Sequence, residues 1–320
     1  MQKVIDSSFE FGNLDIFKLG KTTSNNNLIK ASQSKKDEYY TQMKDIEKEL
    51  QNYHECFQGK TIYCNCDNPE KSNFFKYFFS NFKKLKLKKL ITTHIEHNKL
   101  SYKQEVILDT NEENLLLISK TTLAGDGDFR SDECIEILKD ADILVTNPPF
   151  SLFREYMSLL IKENKKFLII GNINAISYGE CFKEIKKNKL WLGYNNVRHF
   201  YTPDGSLYET ARSFWYTNLD TNKRHISIKL HRTYQNNESE YPKYDNYCAI
   251  NVDKTIDIPL DYKGTMGVPI TFMSKYNPKQ FEIIGQMATT KINEFNYGYP
   301  YIDGKKKYAR ILIKHKDNSK

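Results

Sequence analysis

The sequence predicts a doubly wound α/β sheet with a smaller, loop- and strand-rich module on its C-terminal side. Three observations carry that expectation. Between Asp37 and Thr217, short apolar stretches alternate with stretches of helical period, the pattern of strands joined by crossover helices. Lys166-Phe167-Leu168-Ile169-Ile170-Gly171 is an almost unbroken apolar run, as expected for a parallel strand covered on both faces. From Asp220 the helical period fades, and tyrosines and turn residues multiply through about Pro278.

The elements follow in order. Met1 to Ser34 is polar and asparagine-rich, and reads as a flexible arm. Asp37 to about Gln58 predicts a helix, with Ile46, Leu50 and Tyr53 on one face. Thr61 to Cys64 predicts a first strand. Asn73 to Leu85 predicts an aromatic-rich helix with Phe74, Phe78 and Phe82 four apart. Lys89 to Thr93 predicts a second strand, and Glu105–Leu108 and Asn114–Ile118 two more. Ser131 is placed to cap a helix reaching Lys139. Asp142–Thr146 is then a strand, Leu152–Lys162 a helix, Lys166–Gly171 a strand and Gly179–Lys186 a helix. Leu190–Leu192 predicts a strand, with Arg212–Thr217 beside it.

Composition narrows the class without naming a function. The chain of 320 residues is 39% hydrophobic, enough for a core, and carries a net charge of +8, which suits a polyanionic partner. Its six cysteines form no CxxC pair and its seven histidines show no ligand spacing, so no metal is expected; His94-Ile95-Glu96-His97 comes nearest to a cluster. No apolar run approaches the roughly 18 residues of a membrane span. Reduced thiols and a polar N-terminus point to a cytoplasmic protein.

The most informative residues are Asn147-Pro148-Pro149-Phe150, set between a strand and a helix. Two prolines fix φ and remove two backbone donors, so the turn is stiff. The residue before a proline is pushed to extended geometry, which holds Asn147 at the strand end. The Asn147 side-chain oxygen and the Pro148 carbonyl can together accept the two hydrogens of one planar NH2 group. Phe150 offers a flat face for a base. That is the apparatus for methylating an amino nitrogen. The plainer alternative is a proline-stiffened turn with a core phenylalanine. Position favours the first reading, because ligands of open parallel sheets bind at the carboxyl ends of the strands.

Other segments keep two readings. Gly125-Asp126-Gly127-Asp128-Phe129 precedes the catalytic candidate by about 20 residues and is either an aspartate–aromatic adenine pocket or a glycine–aspartate turn with a helix cap. Tyr63-Cys64-Asn65-Cys66-Asp67 ends the first strand and is either a ligand loop or an Asx-turn. No GxGxxG occurs, so a dinucleotide is not indicated. Lys243, Tyr244 and Asn246 lie in a polar stretch where Lys and Asn can read purine edges, or in a solvated loop.

Taken in order, KKDEYYTQ (Lys35 to Gln42), YCNCDNPEKSNFFKYF (Tyr63 to Phe78), GDGDFRS (Gly125 to Ser131), ADILVTNPPFSLFREY (Ala141 to Tyr156), KFLIIGNINAI (Lys166 to Ile176) and YPKYDNYCAINVDKTIDIPLDYKGTMGVPITF (Tyr241 to Phe272) resemble the EcoRI-type adenine-specific DNA methyltransferases. The resemblance runs from about Ser34 to the C-terminus. It implies a Rossmann-like sheet over residues 35–219 and a target-recognition module with a C-terminal segment over 220–320, after an arm of residues 1–34. It implies S-adenosylmethionine as methyl donor, adenine N6 in double-stranded DNA as acceptor, and a monomer of restriction–modification or solitary type. By position, Asp37, Tyr40 and Thr41 resemble the donor-binding segment, Asn65 and Asp67 a degenerate first-strand loop, and Asp128 and Phe129 the pair around the donor's adenine. Asn147, Pro148, Pro149 and Phe150 resemble the catalytic loop, and Glu96 is the nearest candidate for the ribose-binding acid. An RNA base, a protein glutamine amide, or a DNA-binding relative without activity stay open as alternatives, since the motif permits them.

Overall fold

Four parallel strands fix where the chemistry sits. The computed structural model describes residues 39–66, 68–95, 100–109, 115–202 and 204–316. Met1 to Ser34, Asp37, Asp67 and Glu96, for which the sequence raises expectations, lie outside these. The chain divides into two compact units, Met1–Gly171 with Val197–Ala211, and Asn172–Asn196 with Arg212–Lys320.

In the first unit, β1 (Tyr40–Thr41) leads into α1 (Met43–Leu50), which a 3-10 turn joins to α2 (His54–Phe57). Next come β2 (Thr61–Asn65), α3 (Asn73–Ser80), β3 (Lys89–Thr93), β4 (Tyr102–Leu108) and β5 (Leu116–Thr122). They are followed by α4 (Asp132–Asp140), β6 (Ile143–Thr146), α5 (Phe153–Lys162) and β7 (Lys166–Asn172). The hydrogen-bonded order is β7-β6-β2-β3-β4-β5. The first four are mutually parallel, and β4 and β5 run antiparallel at the edge. All of β2 and β6 is buried, as is Phe167–Gly171 of β7, which explains their apolar runs. The chain leaves β2 toward β3 and later returns to β6 on the other side of β2. That reversal makes the carboxyl ends of β2 and β6 the switch point where ligands of such sheets bind.

Helix packing follows the aromatic spacing. Phe74 and Phe78 of α3 are buried, and Phe78 meets Phe57 edge-on at 5.3 Å. Each such side chain contributes about 1.5–3 kcal/mol of burial. The helix stops at Ser80 rather than Leu85, because Asn81 turns its side-chain amide back onto the Tyr77 carbonyl (2.9 Å). Phe153 of α5 packs closely on Gly171, where a Cβ would meet its ring at 2.3 Å.

The start of the first predicted helix needs correcting. Tyr40 and Thr41 are extended and pair antiparallel with Tyr201 and Phe200. The helix begins only at Met43, after extended Gln42. A strand partner so distant in sequence leaves no local periodicity to read. The late strands are also longer than expected. β8 (Trp191–Tyr201) and β9 (Leu207–Thr217) are 11 residues each. Their turn is closed by Thr202 and Ser206, with Gly205 at φ +85°.

The second unit contains α6 (Gly179–Lys186) and a four-stranded sheet in the order β10 (Ile250–Asn251), β11 (Met266–Pro269), β15 (Arg310–His315), β12 (Phe281–Met287). Lys186 of α6 donates to the Ile284 carbonyl at 2.7 Å. A separate hairpin pairs β13 (Tyr301–Ile302) with β14 (Lys305–Lys306). Among the described residues, no helix is long and apolar enough to cross a membrane.

Candidate active site

β6 delivers Thr146 fully buried at the switch point, and its hydroxyl donates to the Asn65 carbonyl at the end of β2. The next residue is Asn147. Pro148 is buried, and Phe150 opens the 3-10 turn that runs into α5.

The Asn147 side chain is half used. Its Nδ2 donates to the Tyr39 carbonyl at 2.6 Å. A carbonyl only accepts, so this contact fixes which end of the amide faces Tyr39. Among the described residues, Oδ1 is left buried and without a hydrogen-bond partner. A buried acceptor with nothing to accept costs about 1–3 kcal/mol, so it marks a place for a donor. Tyr39 is held in turn by the strand that follows it: β1 pairs with β8, and Asn73 Nδ2 donates to the Thr41 carbonyl at 2.8 Å. Thr41 Oγ1 is a second buried polar atom with no partner among the described residues.

Rings surround this point. Phe150 lies 5.6 Å from the Tyr39 ring and meets Phe200 edge-on at 5.8 Å. Tyr208 stacks on Tyr39 at 5.0 Å, 11° from parallel, and is 45% exposed. Phe150 itself is only half-buried, so its role is not that of a closed core residue.

The Gly125–Phe129 loop is bolted down at each residue. Glu133 accepts from the Ala124 and Gly125 N–H groups, and Ser101 donates to the Asp126 carbonyl at 2.6 Å. Gly127 has φ +79°, and a Cβ there would sit 2.3 Å from the His94 carbonyl oxygen, so the position demands glycine. Asp128 accepts from the Arg130 backbone N–H (2.8 Å) and from its guanidinium (2.8 and 2.5 Å). Burial opposes ionisation of Asp128, but the hydrogen bonds and charge of Arg130 outweigh it and hold the carboxyl below the ordinary carboxylate range. Arg130 also reaches Glu155 on α5 at 3.0 Å, which ties this loop to the helix that follows Phe150. Phe129 is buried edge-on against Tyr156 at 4.8 Å.

An amide pinned at one end, a flat half-exposed ring and a rigid aspartate loop at one switch point agree with what the chain resembles. The family model described as adenine-specific methyltransferase EcoRI matches residues 27–316. The chain belongs to this family. It is 49% identical to the type II methyltransferase M.EcoRI of Escherichia coli, over 93% of this chain and 99% of that protein. Identity to M.MgeORF184P of Mycoplasma genitalium is 41%, over 89% and 97% of the two chains, and to M.MpnI of Mycoplasma pneumoniae 38%, over 90% and 98%. Both are also named type II methyltransferases. As a member of the EcoRI methyltransferase family, the chain is a site-specific DNA adenine methyltransferase with a mixed α/β fold around a large, mostly parallel sheet.

The structure of this methyltransferase brings Tyr40, Thr41, Asn65, Asp128, Phe129 and Asn147–Phe150 into the first unit. Asn65 is buried, and its Oδ1 accepts from the Tyr156 hydroxyl. Cys66 follows at φ +59°, taking the left-handed turn without a glycine. Tyr244 is a correction. It is 5% exposed, donates to Asn251 Oδ1 at 2.8 Å, and lies on Gly267, where a Cβ would meet its hydroxyl at 2.3 Å. Burial pushes that hydroxyl's pKa well up. Asn246 spends both ends of its amide on the backbone of Tyr299 and Tyr301. Lys243 is exposed. Phe200 and Tyr208 are residues the sequence did not single out, whereas Tyr39 lies within KKDEYYTQ and Arg130 adjoins the aspartate loop.

Proposed function

We propose that this chain transfers the methyl group of S-adenosylmethionine to N6 of an adenine flipped out of duplex DNA. The observation that carries the reading is Asn147, with Nδ2 engaged by Tyr39 and Oδ1 vacant beside a half-buried Phe150. An exocyclic NH2 needs an acceptor there, and a carbonyl-bearing base edge does not.

The residues fit the methyl donor. Among the described residues, Thr41 Oγ1 is a buried group without a partner and Asp128 Oδ2 accepts one hydrogen bond, which leaves acceptor capacity, while Phe129 supplies an apolar wall. We assign donor binding to Tyr40, Thr41, Asn65, Asp128 and Phe129, and, on the family resemblance alone, to Asp37 and Asp67. S-adenosylmethionine supplies an electrophilic methyl group on a sulfonium when bound. The residues of the chain do the rest. Phe150 stacks on the flipped base and returns about 1–3 kcal/mol of the few kcal/mol lost on unstacking. Asn147 Oδ1 and the Pro148 carbonyl accept from N6, which turns its lone pair toward the methyl carbon. The N–C bond forms as the C–S bond breaks, and the nitrogen then releases a proton to water. No prior general base is needed, so positioning and electrostatics account for the rate. Residues 220–320 we assign to target recognition.

The test is chemical. Unmethylated duplex DNA is incubated with the protein and methyl-labelled S-adenosylmethionine, digested to nucleosides, and analysed by mass spectrometry. N6-methyl-2′-deoxyadenosine is the labelled nucleoside expected. Label in N4-methylcytosine, or none in DNA, overturns the reading.

A further inference from the structure

The second unit carries a rigid cationic hairpin that the methyl-transfer chemistry does not use. β13 and β14 are joined by Asp303-Gly304, with φ of +51° and +70°. Two left-handed residues of the type Asp-Gly make the tight turn that suits strand twist. The hairpin is fixed from below by Asp245 and Asn246. Asp245 accepts from the N–H groups of Asp303 (3.1 Å) and Gly304 (2.9 Å), and its own N–H donates to the Tyr301 carbonyl (2.9 Å). Asn246 donates to the Tyr299 carbonyl at 3.0 Å and accepts from Tyr301 N–H at 3.3 Å. Ile302 plugs into the core formed by Tyr244, Ala249, Met287 and Leu312. Lys307 N–H closes the far side on the Pro300 carbonyl at 2.8 Å.

What this clamp presents is Lys305, Lys306 and Lys307 in sequence, all exposed, followed by Tyr308 at 89% exposure. Lys306 Nζ lies 3.3 Å from the centroid of the Tyr299 ring, which stiffens its stem without neutralising it. A merely solvated lysine run needs no such anchoring. Three cations on a pre-ordered two-stranded ribbon lose little entropy on meeting an anion, and a ribbon of this width follows a groove edge of B-DNA.

We propose that the Lys305–Tyr308 hairpin grips the phosphate backbone of duplex DNA, with Asp245 and Asn246 as its positioning residues. The proposal rests on DNA being the substrate, and it deepens that reading by naming a contact surface. Binding is followed through the salt dependence of affinity, since each phosphate contact adds about 0.9 to the slope of log K against log salt.

The experiment compares the full chain with K305Q/K306Q/K307Q and with K305R/K306R/K307R, using one duplex that the wild type binds. The Gln variant should bind with a slope less steep by about 2 to 3. The Arg variant should keep the wild-type slope, and both should keep the wild-type unfolding temperature. An unchanged slope in a Gln variant that unfolds normally overturns the proposal. So does a loss of slope in the Arg variant equal to that in the Gln variant. If the wild type binds duplex with this lysine-dependent slope yet leaves adenine unmethylated, the proposed function fails and the hairpin assignment stands.

Discussion

Asn147 and Asn246 are the same side chain in two states of employment. Asn246, in the second unit, spends its amide nitrogen on the Tyr299 carbonyl and its oxygen on the Tyr301 N–H. Asn147, in the first, spends only its nitrogen, on the Tyr39 carbonyl, and keeps a buried oxygen idle. An asparagine with both ends engaged is a clamp for backbone. One with a single end engaged is pointed, because the engaged end decides which way the other faces. Folding alone gives no return for the idle oxygen, and so a substrate donor is its natural partner.

The largest expected effect that tests this contrast is Asn147→Ala. Losing one preorganised acceptor should lower turnover by about 10²–10³, by analogy with a lost oxyanion donor, while donor affinity measured by calorimetry hardly moves. Asp128→Ala should do the reverse. It removes a charge-assisted acceptor worth about 1.5–3 kcal/mol, so the dissociation constant for S-adenosylmethionine should rise at least tenfold. An unchanged constant would mean that the loop only turns the chain. The same pair sets a pH dependence. Because Arg130 holds Asp128 low, its contribution to stability is complete above the unfolded carboxylate pKa of about 3.9 and is lost as pH falls through the lower folded value. Phe150→Ala should weaken base flipping by about 1–3 kcal/mol. With 2-aminopurine at the target position, the fluorescence rise should be smaller than in the wild type, and an equal rise would mark Phe150 as a packing residue.

On the other side of the comparison, the effects are structural and smaller. Asn246→Ala should lose two backbone contacts and about 1–2 kcal/mol of stability, with no change in the methyl-transfer step. Tyr244→Phe should cost about 1 kcal/mol through the lost bond to Asn251, and the methylated sequence should not move. A changed recognition site in Tyr244→Phe would restore it as a reader.

The legible parts of the sequence were those where local chemistry and position agree. Asn147–Phe150 could be read because prolines restrict their own backbone and the preceding strand carries the apolar run Ile143-Leu144-Val145. The loop around Gly127 could be read because only glycine tolerates its φ against His94. What could not be read depends on partners far along the chain. Tyr39 anchors Asn147 across 108 residues, and β1 becomes a strand only because β8 reaches it. In the 241–246 stretch, composition alone suggested a groove reader. Whether Tyr244 and Asn246 face outward was decided by Gly267 and by the hairpin at Tyr299–Tyr301, which no local pattern announces.

The central claim is that the idle Asn147 oxygen acts on the target amine and the fully engaged Asn246 does not. Single-turnover methyl transfer, with donor and duplex both prebound, isolates that step. Asn147→Ala should be slower than the wild type by about 10²–10³, and Asn246→Ala should match the wild type once bound. Transfer by Asn147→Ala at near wild-type rate, or an equal loss in both variants, would contradict the account.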